Sequence, residues 1–149
     1  MISLKEAIER DGQILHYTKG ISMQPMLVEG QNAVLVGKVF RTLKKGDVIL
    51  FEGNNDCVLH RIIRCKNGTY ITRGDNNLFY DKPVSKDMVI GLLLGYYKGD
   101  KYIDCEKDFK YRVYSVFIPF RYHRRKLVKR IRLLVPKSVK NLIKKSLGK

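Results

Sequence analysis

Cys57-Val58-Leu59-His60-Arg61-Ile62-Ile63-Arg64-Cys65-Lys66-Asn67-Gly68-Thr69-Tyr70-Ile71-Thr72 decides the fold class of this chain. Apolar and β-branched residues stand on both sides of an Asn-Gly pair, the dipeptide best suited to a tight hairpin turn. Two antiparallel strands joined at Asn67-Gly68 are therefore expected. Further out the pattern repeats: Ala33-Val34-Leu35-Val36, Val48-Ile49-Leu50-Phe51 and Val89 to Tyr97 read as strands, with a last one around Tyr102-Ile103. Glu29-Gly30, Lys45-Gly46-Asp47, Gly53-Asn54-Asn55-Asp56 and Lys98-Gly99-Asp100 punctuate them as turns. The fold class is mainly β: an antiparallel domain over residues 1–107. A short amphipathic helix is expected within residues 3–16, where Leu4, Ala7, Ile8 and Leu15 recur at helical spacing.

Residues 108–149 form a second, basic part. All fourteen acidic residues lie at or before Asp108, whereas Phe109 to Lys149 hold fourteen Lys or Arg and no acid. The formal net charge of +16 thus divides into about +2 for the first part and +14 for the tail. Tyr111 to Phe120 is aromatic and apolar, closed by Pro119. Leu127, Ile131, Leu134 and Val135 then make one helical stripe, and after Pro136 a second stripe runs through Val139, Leu142, Ile143 and Leu147. Two basic amphipathic helices are expected. Apolar stripes flanked by arginine suit an anionic membrane surface better than nucleic acid, which needs the charge without the stripe; the other reading is that the stripe packs onto the β domain or a partner protein and the charge is a solvated face. Arg124, Arg125, Lys129 and Arg132 are the expected membrane contacts.

At 149 residues the chain can bury roughly 70% of its unfolded surface without help from metals or disulfides. Cys57, Cys65 and Cys105 cannot all pair and show no Cys-x-x-Cys spacing, so no metal site and no cofactor are expected. No stretch has the length and apolarity of a transmembrane helix, and charges interrupt the first nineteen residues. A cytoplasmic or peripheral membrane location is expected.

Four segments carry the chemistry. Gly20-Ile21-Ser22-Met23-Gln24-Pro25-Met26-Leu27 sets a serine ahead of a proline bend. A serine becomes a nucleophile only beside a base, and the best candidate is His60. Taken singly, each residue has an ordinary structural explanation: His60 shares a strand face with Val58 and Ile62, and Gly74-Asp75-Asn76-Asn77 is turn chemistry. Their order is more specific. Gly20 to Gly30 resembles the catalytic-serine segment of the signal peptidase I superfamily. Lys45 to Phe51 resembles its Gly-Asp-apolar strand, Val58 to Ile63 its general-base segment, and Thr72 to Asn77 with Asp81 its last motif. The resemblance spans about residues 17–97.

That resemblance implies a signal-peptidase-like β catalytic domain and a serine endopeptidase that cuts a leader or signal segment from a precursor. Lysine serves as base in the bacterial-type branch, but no lysine lies between Lys45 and Lys66. His60 at the base position is similar to the archaeal and endoplasmic-reticulum type. Ser22 would be the nucleophile and His60 the base; the resemblance implies Asp81 as partner of the imidazole and Asp75 as a second carboxylate that orders the site, two roles that sequence alone does not separate. The Ser22 backbone N–H would hold the oxyanion, because Gly20 and Ile21 supply no hydroxyl there. Met23, Pro25 and Met26 would line the substrate pocket. The alternative is a non-catalytic membrane- or nucleic-acid-binding module on the same fold.

Overall fold

The computed structural model describes residues 2–54 and 56–134. Helix α1, Leu4–Asp11, opens with a reciprocal cap in which Ser3 Oγ accepts from the Glu6 N–H and the Glu6 carboxylate accepts from the Ser3 N–H at 2.8 Å. It ends at Gly12, whose φ of 81° is left-handed and whose N–H donates to Ile8 O. The helix expected within residues 3–16 therefore stops at Asp11. Leu15 instead lies in a strand, β1, Gln13–Tyr17, that the sequence pattern does not announce.

The remaining strands are β2 (Ala33–Gly37), β3 (Val48–Glu52), β4 (Cys57–Lys66), β5 (Thr69–Arg73), β6 (Val84–Ser85), β7 (Val89–Lys98) and β8 (Lys101–Asp104). Among the described residues these eight strands form one antiparallel sheet, ordered β1-β2-β7-β3-β4-β5-β6, with β8 also paired to β7. The mainly β class is as expected. Strand β6 is an addition, too short at two residues to leave a period in the sequence.

Strand alternation sorts the core into two clusters. From β3, Val48 and Leu50 pack with Met23, Met26, Leu27, Val34, Val36 and Ile8, whereas Ile49 and Phe51 pack with Ile62, Val84 and Leu92. Each such side chain contributes roughly 1.5–3 kcal/mol on full burial.

The β4–β5 hairpin turns at Asn67 and Gly68, both at positive φ (47° and 76°), as the Asn-Gly pair predicts. Its register is interrupted. Lys66 pairs with Thr69, Cys65 with Tyr70 and Arg64 with Ile71, but Ile62 then pairs with Thr72 and Arg61 with Arg73. Ile63 is the extra residue of a bulge. Continued by one step, this register sets His60 opposite Gly74.

Helix α2, Phe109–Leu134, runs through Pro119 without a break. The aromatic segment from Tyr111 to Phe120 and the first expected stripe, through Leu134, thus form one helix of 26 residues. Proline inside a helix costs about 3 kcal/mol. Burial of Ile118 and of Tyr111 in the core offsets it, as does the Asp108 cap, whose Oδ1 accepts from the Tyr111 N–H at 2.8 Å. Tyr111 belongs to the core, so the first turns of α2 pack as part of the domain expected to end at residue 107. Val135, Pro136 and the stripe from Val139 to Leu147 lie outside the described residues. No described helix is long and apolar enough to cross a membrane.

Candidate active site

The loop after β1 carries Ser22, and its anchors are the neighbouring side chains. Met23, Met26 and Leu27 are buried in the core, while Leu27 N–H donates to Met23 O at 3.0 Å and closes a five-residue turn. This turn contains the cis Gln24–Pro25 bond. Ser22 is left half-buried at the surface. Its N–H and its hydroxyl make no hydrogen bond among the described residues.

Strand β4 supplies a buried His60. Its Nδ1 lies 2.7 Å from Asp81 Oδ2, and the same oxygen accepts from Thr72 Oγ1 at 2.8 Å. An ionised carboxylate can only accept, so Nδ1 carries a proton, and in the neutral imidazole Nε2 keeps its lone pair. Asp81 is fixed in turn through its N–H, which donates to Thr72 O at 3.0 Å.

Gly74 brings the two halves together. A Cβ built on it would lie 2.6 Å from Ser22 O, 2.9 Å from His60 Nε2 and 3.0 Å from Asn77 Nδ2. Only a residue without a side chain fits at this meeting point. Next to it, the Asn76 N–H donates to Ser22 O at 2.7 Å and Asn76 Nδ2 to Ile21 O at 3.1 Å. The Gly74-Asp75-Asn76-Asn77 turn thus grips the backbone of the proposed nucleophile. Ser22 Oγ and His60 Nε2 are not hydrogen-bonded to each other; such contacts are often loose without substrate.

The two carboxylates separate cleanly. Asp75 faces away from His60 and accepts from Arg61 Nε and Nη2, both at 2.8 Å. Arg61 and Asp75 side chains are each only 1% exposed. Arg61 also donates through Nη1 to Gly46 O (2.7 Å) and Ser115 Oγ (2.9 Å), and through Nη2 to Met26 Sδ (3.1 Å). Burial alone would pull the guanidinium below its ordinary pKa, but the hydrogen bonds and charge of Asp75 outweigh it and raise it. The Tyr114 hydroxyl donates to Asp75 at 3.1 Å, and its pKa is raised by burial and then by the Asp75 charge. This buried ion pair binds β4, the Asp75 turn and α2 into one unit. The sequence assigns no role to Arg61, Tyr114 or Ser115; the only signal is the position of Arg61 beside His60.

Other expected site residues fall elsewhere. Met23 and Met26 are buried in the core and do not face an open groove, whereas Pro25 is exposed. Arg125 does not point outward: its Nη1 donates to Asn76 Oδ1 at 2.8 Å and to Asn76 O at 3.2 Å. It belongs to the grip on the Ser22 loop, a correction to its expected membrane contact. Nearby, the buried Arg73 guanidinium stacks on the Tyr122 ring of α2 at 3.7 Å. Arg124 is exposed, and Lys129 lines an open cleft of about 370 Å³ with Phe79, Tyr80 and Tyr122. The side chain of Arg132 lies outside the described set. Among the described residues, no group of three or more His, Cys, Asp or Glu gathers to hold a metal ion. No known family model matches the chain, and no curated protein matches it.

Proposed function

We propose that the chain is a serine endopeptidase of signal-peptidase type, acting on an extended leader or signal segment of a precursor. The observation that carries the reading is the convergence of the Ser22 backbone and His60 Nε2 on Gly74, with Asp81 behind the imidazole. Packing of the imidazole alone does not require Nε2 and Ser22 O to meet within 3 Å of one Cβ position.

In this reading Ser22 Oγ attacks the scissile carbonyl as His60 Nε2 takes its proton. The tetrahedral oxyanion is held by the Ser22 N–H, which has no internal acceptor among the described residues. His60 then protonates the leaving amine, giving an ester on Ser22. Water attacks that ester with His60 again as base, releasing the second product and restoring the hydroxyl. Asp81 keeps the imidazole in the tautomer that exposes Nε2 and stabilises the imidazolium.

The test uses purified full-length protein and a defined mixture of peptides, with new termini read by mass spectrometry. The wild type is expected to cleave at a recurrent sequence, Ser22→Ala and His60→Ala to abolish cleavage, and Ser22→Ala to keep the wild-type melting curve. Equal cleavage by Ser22→Ala would assign the activity to a contaminant and end this reading.

A further inference from the structure

Helix α2 has two apolar faces, and among the described residues only one is packed against the rest of the protein. Tyr111, Tyr114, Ile118, Tyr122 and Arg125 lie on the face that meets the sheet and the catalytic loops. At 100° per residue, Phe109, Val113, Val116, Phe120, Leu127 and Ile131 fall on the opposite side, in one row that His123 and Arg124 interrupt between Phe120 and Leu127. All but Val113 are more than half exposed, between 51% and 75%. The row follows nearly the whole helix, which is about 39 Å long at 1.5 Å per residue. Monomeric soluble proteins rarely leave such a stripe uncovered.

Charge decides what covers it. Phe109–Leu134 contains nine Lys or Arg and no acidic residue. Arg112 and Arg130 edge the row on one side and Lys110 and Arg121 on the other, with Arg124 beside Phe120 and Leu127. A second copy would set this cationic border against itself. Nucleic acid would meet the charge but leave the Phe, Val, Leu and Ile row in water. An anionic lipid surface satisfies both, because apolar side chains enter the acyl boundary while arginine and lysine reach phosphate headgroups.

We infer that the outer face of α2 is a docking surface for an anionic phospholipid bilayer, with the helix lying in the interface plane between the lipid and the β domain. The contact set is the row from Phe109 to Ile131 with Arg112, Arg124 and Arg130; Arg125 is excluded because it is turned inward to Asn76. This does not rest on the peptidase reading.

Full-length protein is floated with vesicles of phosphatidylcholine containing phosphatidylglycerol, and with pure phosphatidylcholine vesicles. Binding to the anionic vesicles is expected to be at least about tenfold tighter and to weaken with salt. A Val116→Ser, Phe120→Ser, Leu127→Ser variant, altered only at exposed positions, should lose about tenfold or more while keeping its melting curve. A Phe120→Trp variant reports independently, since the chain has no other tryptophan: its emission should shift to the blue on anionic vesicles only. Ser22→Ala should float like the wild type, which separates this surface from the proposed catalysis. Equal flotation of the wild type and the triple serine variant would overturn the proposal. So would a blue shift of the Phe120→Trp variant on self-association without lipid, or on duplex DNA in place of vesicles.

Discussion

The carboxylates Asp75 and Asp81 are six residues apart in one loop, yet their removal should have opposite consequences. Asp75→Asn deletes the only carboxylate bonded to Arg61 among the described residues, leaving a guanidinium that is 1% exposed with a neutral partner. One Asn oxygen can still accept, but its NH₂ faces a second N–H donor. Breaking a buried ion pair in this way costs about 3–5 kcal/mol, which lowers the melting temperature of a domain this size by roughly 6–20 °C. Asp81→Asn instead acts at a side chain 23% exposed to water. Loss of its hydrogen bonds should cost about 1–2 kcal/mol. Its larger effect falls on rate, because an amide no longer enforces the Nε2-basic tautomer of His60, and the expected loss in kcat is roughly 10²–10⁴-fold. Urea denaturation with peptide cleavage on the same preparations measures both quantities. An Asp75→Asn protein within about 1 kcal/mol of the wild type, or an Asp81→Asn protein that cleaves at full rate, would refute this division of roles.

Gly74→Ala should lower kcat by at least about 100-fold, since its methyl group displaces Ser22 O or His60 Nε2, with a stability loss of about 1–3 kcal/mol. Peptide cleavage and urea midpoints on that variant check both figures. Thiol labelling of the folded protein at pH about 8 should modify exposed Cys57 and Cys65 rapidly. Cys105, only partly exposed, should react far more slowly, as burial pushes its thiol up to about 12. Burial raises the phenols of Tyr111 and Tyr114 above the ordinary value near 10, although the Arg61 charge draws both down in part. The unfolded chain therefore releases these protons first. Stability should hold up to pH about 10 and then fall by about 1.4 kcal/mol per pH unit for each group. Urea midpoints across that range, followed with phenolate absorbance, test it, and a flat profile would count against burial of these hydroxyls.

Much of the sheet is legible in the sequence because its strands are apolar and its turns carry Gly, Asn and Asp. Strand β1 is not, because Gln13-Ile14-Leu15-His16-Tyr17 is an exposed edge with no strong period, and Leu15 also suits a helical count from Leu4. The continuous α2 is hidden by Pro119, whose penalty is local while the packing that overrides it is tertiary. Ser22, His60, Asp75 and Asp81 can be singled out from motif order. Which carboxylate serves which side chain cannot, because the answer depends on the hairpin register and on a buried arginine that reads like any strand cation.

The bulge at Ile63 gives that register a meaning beyond geometry. It works as a vernier with a step of one residue. Were Ile63 drawn into the ladder opposite Thr72, β4 and β5 would zip without interruption, a gain in pairing regularity. Every residue before it would then slip by one: Ile62 would face Arg73 and Arg61 would face Gly74. The buried cation would stand in the place of His60, and His60 would face Asp75. On the proposed peptidase reading, the more regular hairpin is thus the inert one. An irregularity that ladder pairing alone would erase is what keeps the imidazole in phase with Ser22.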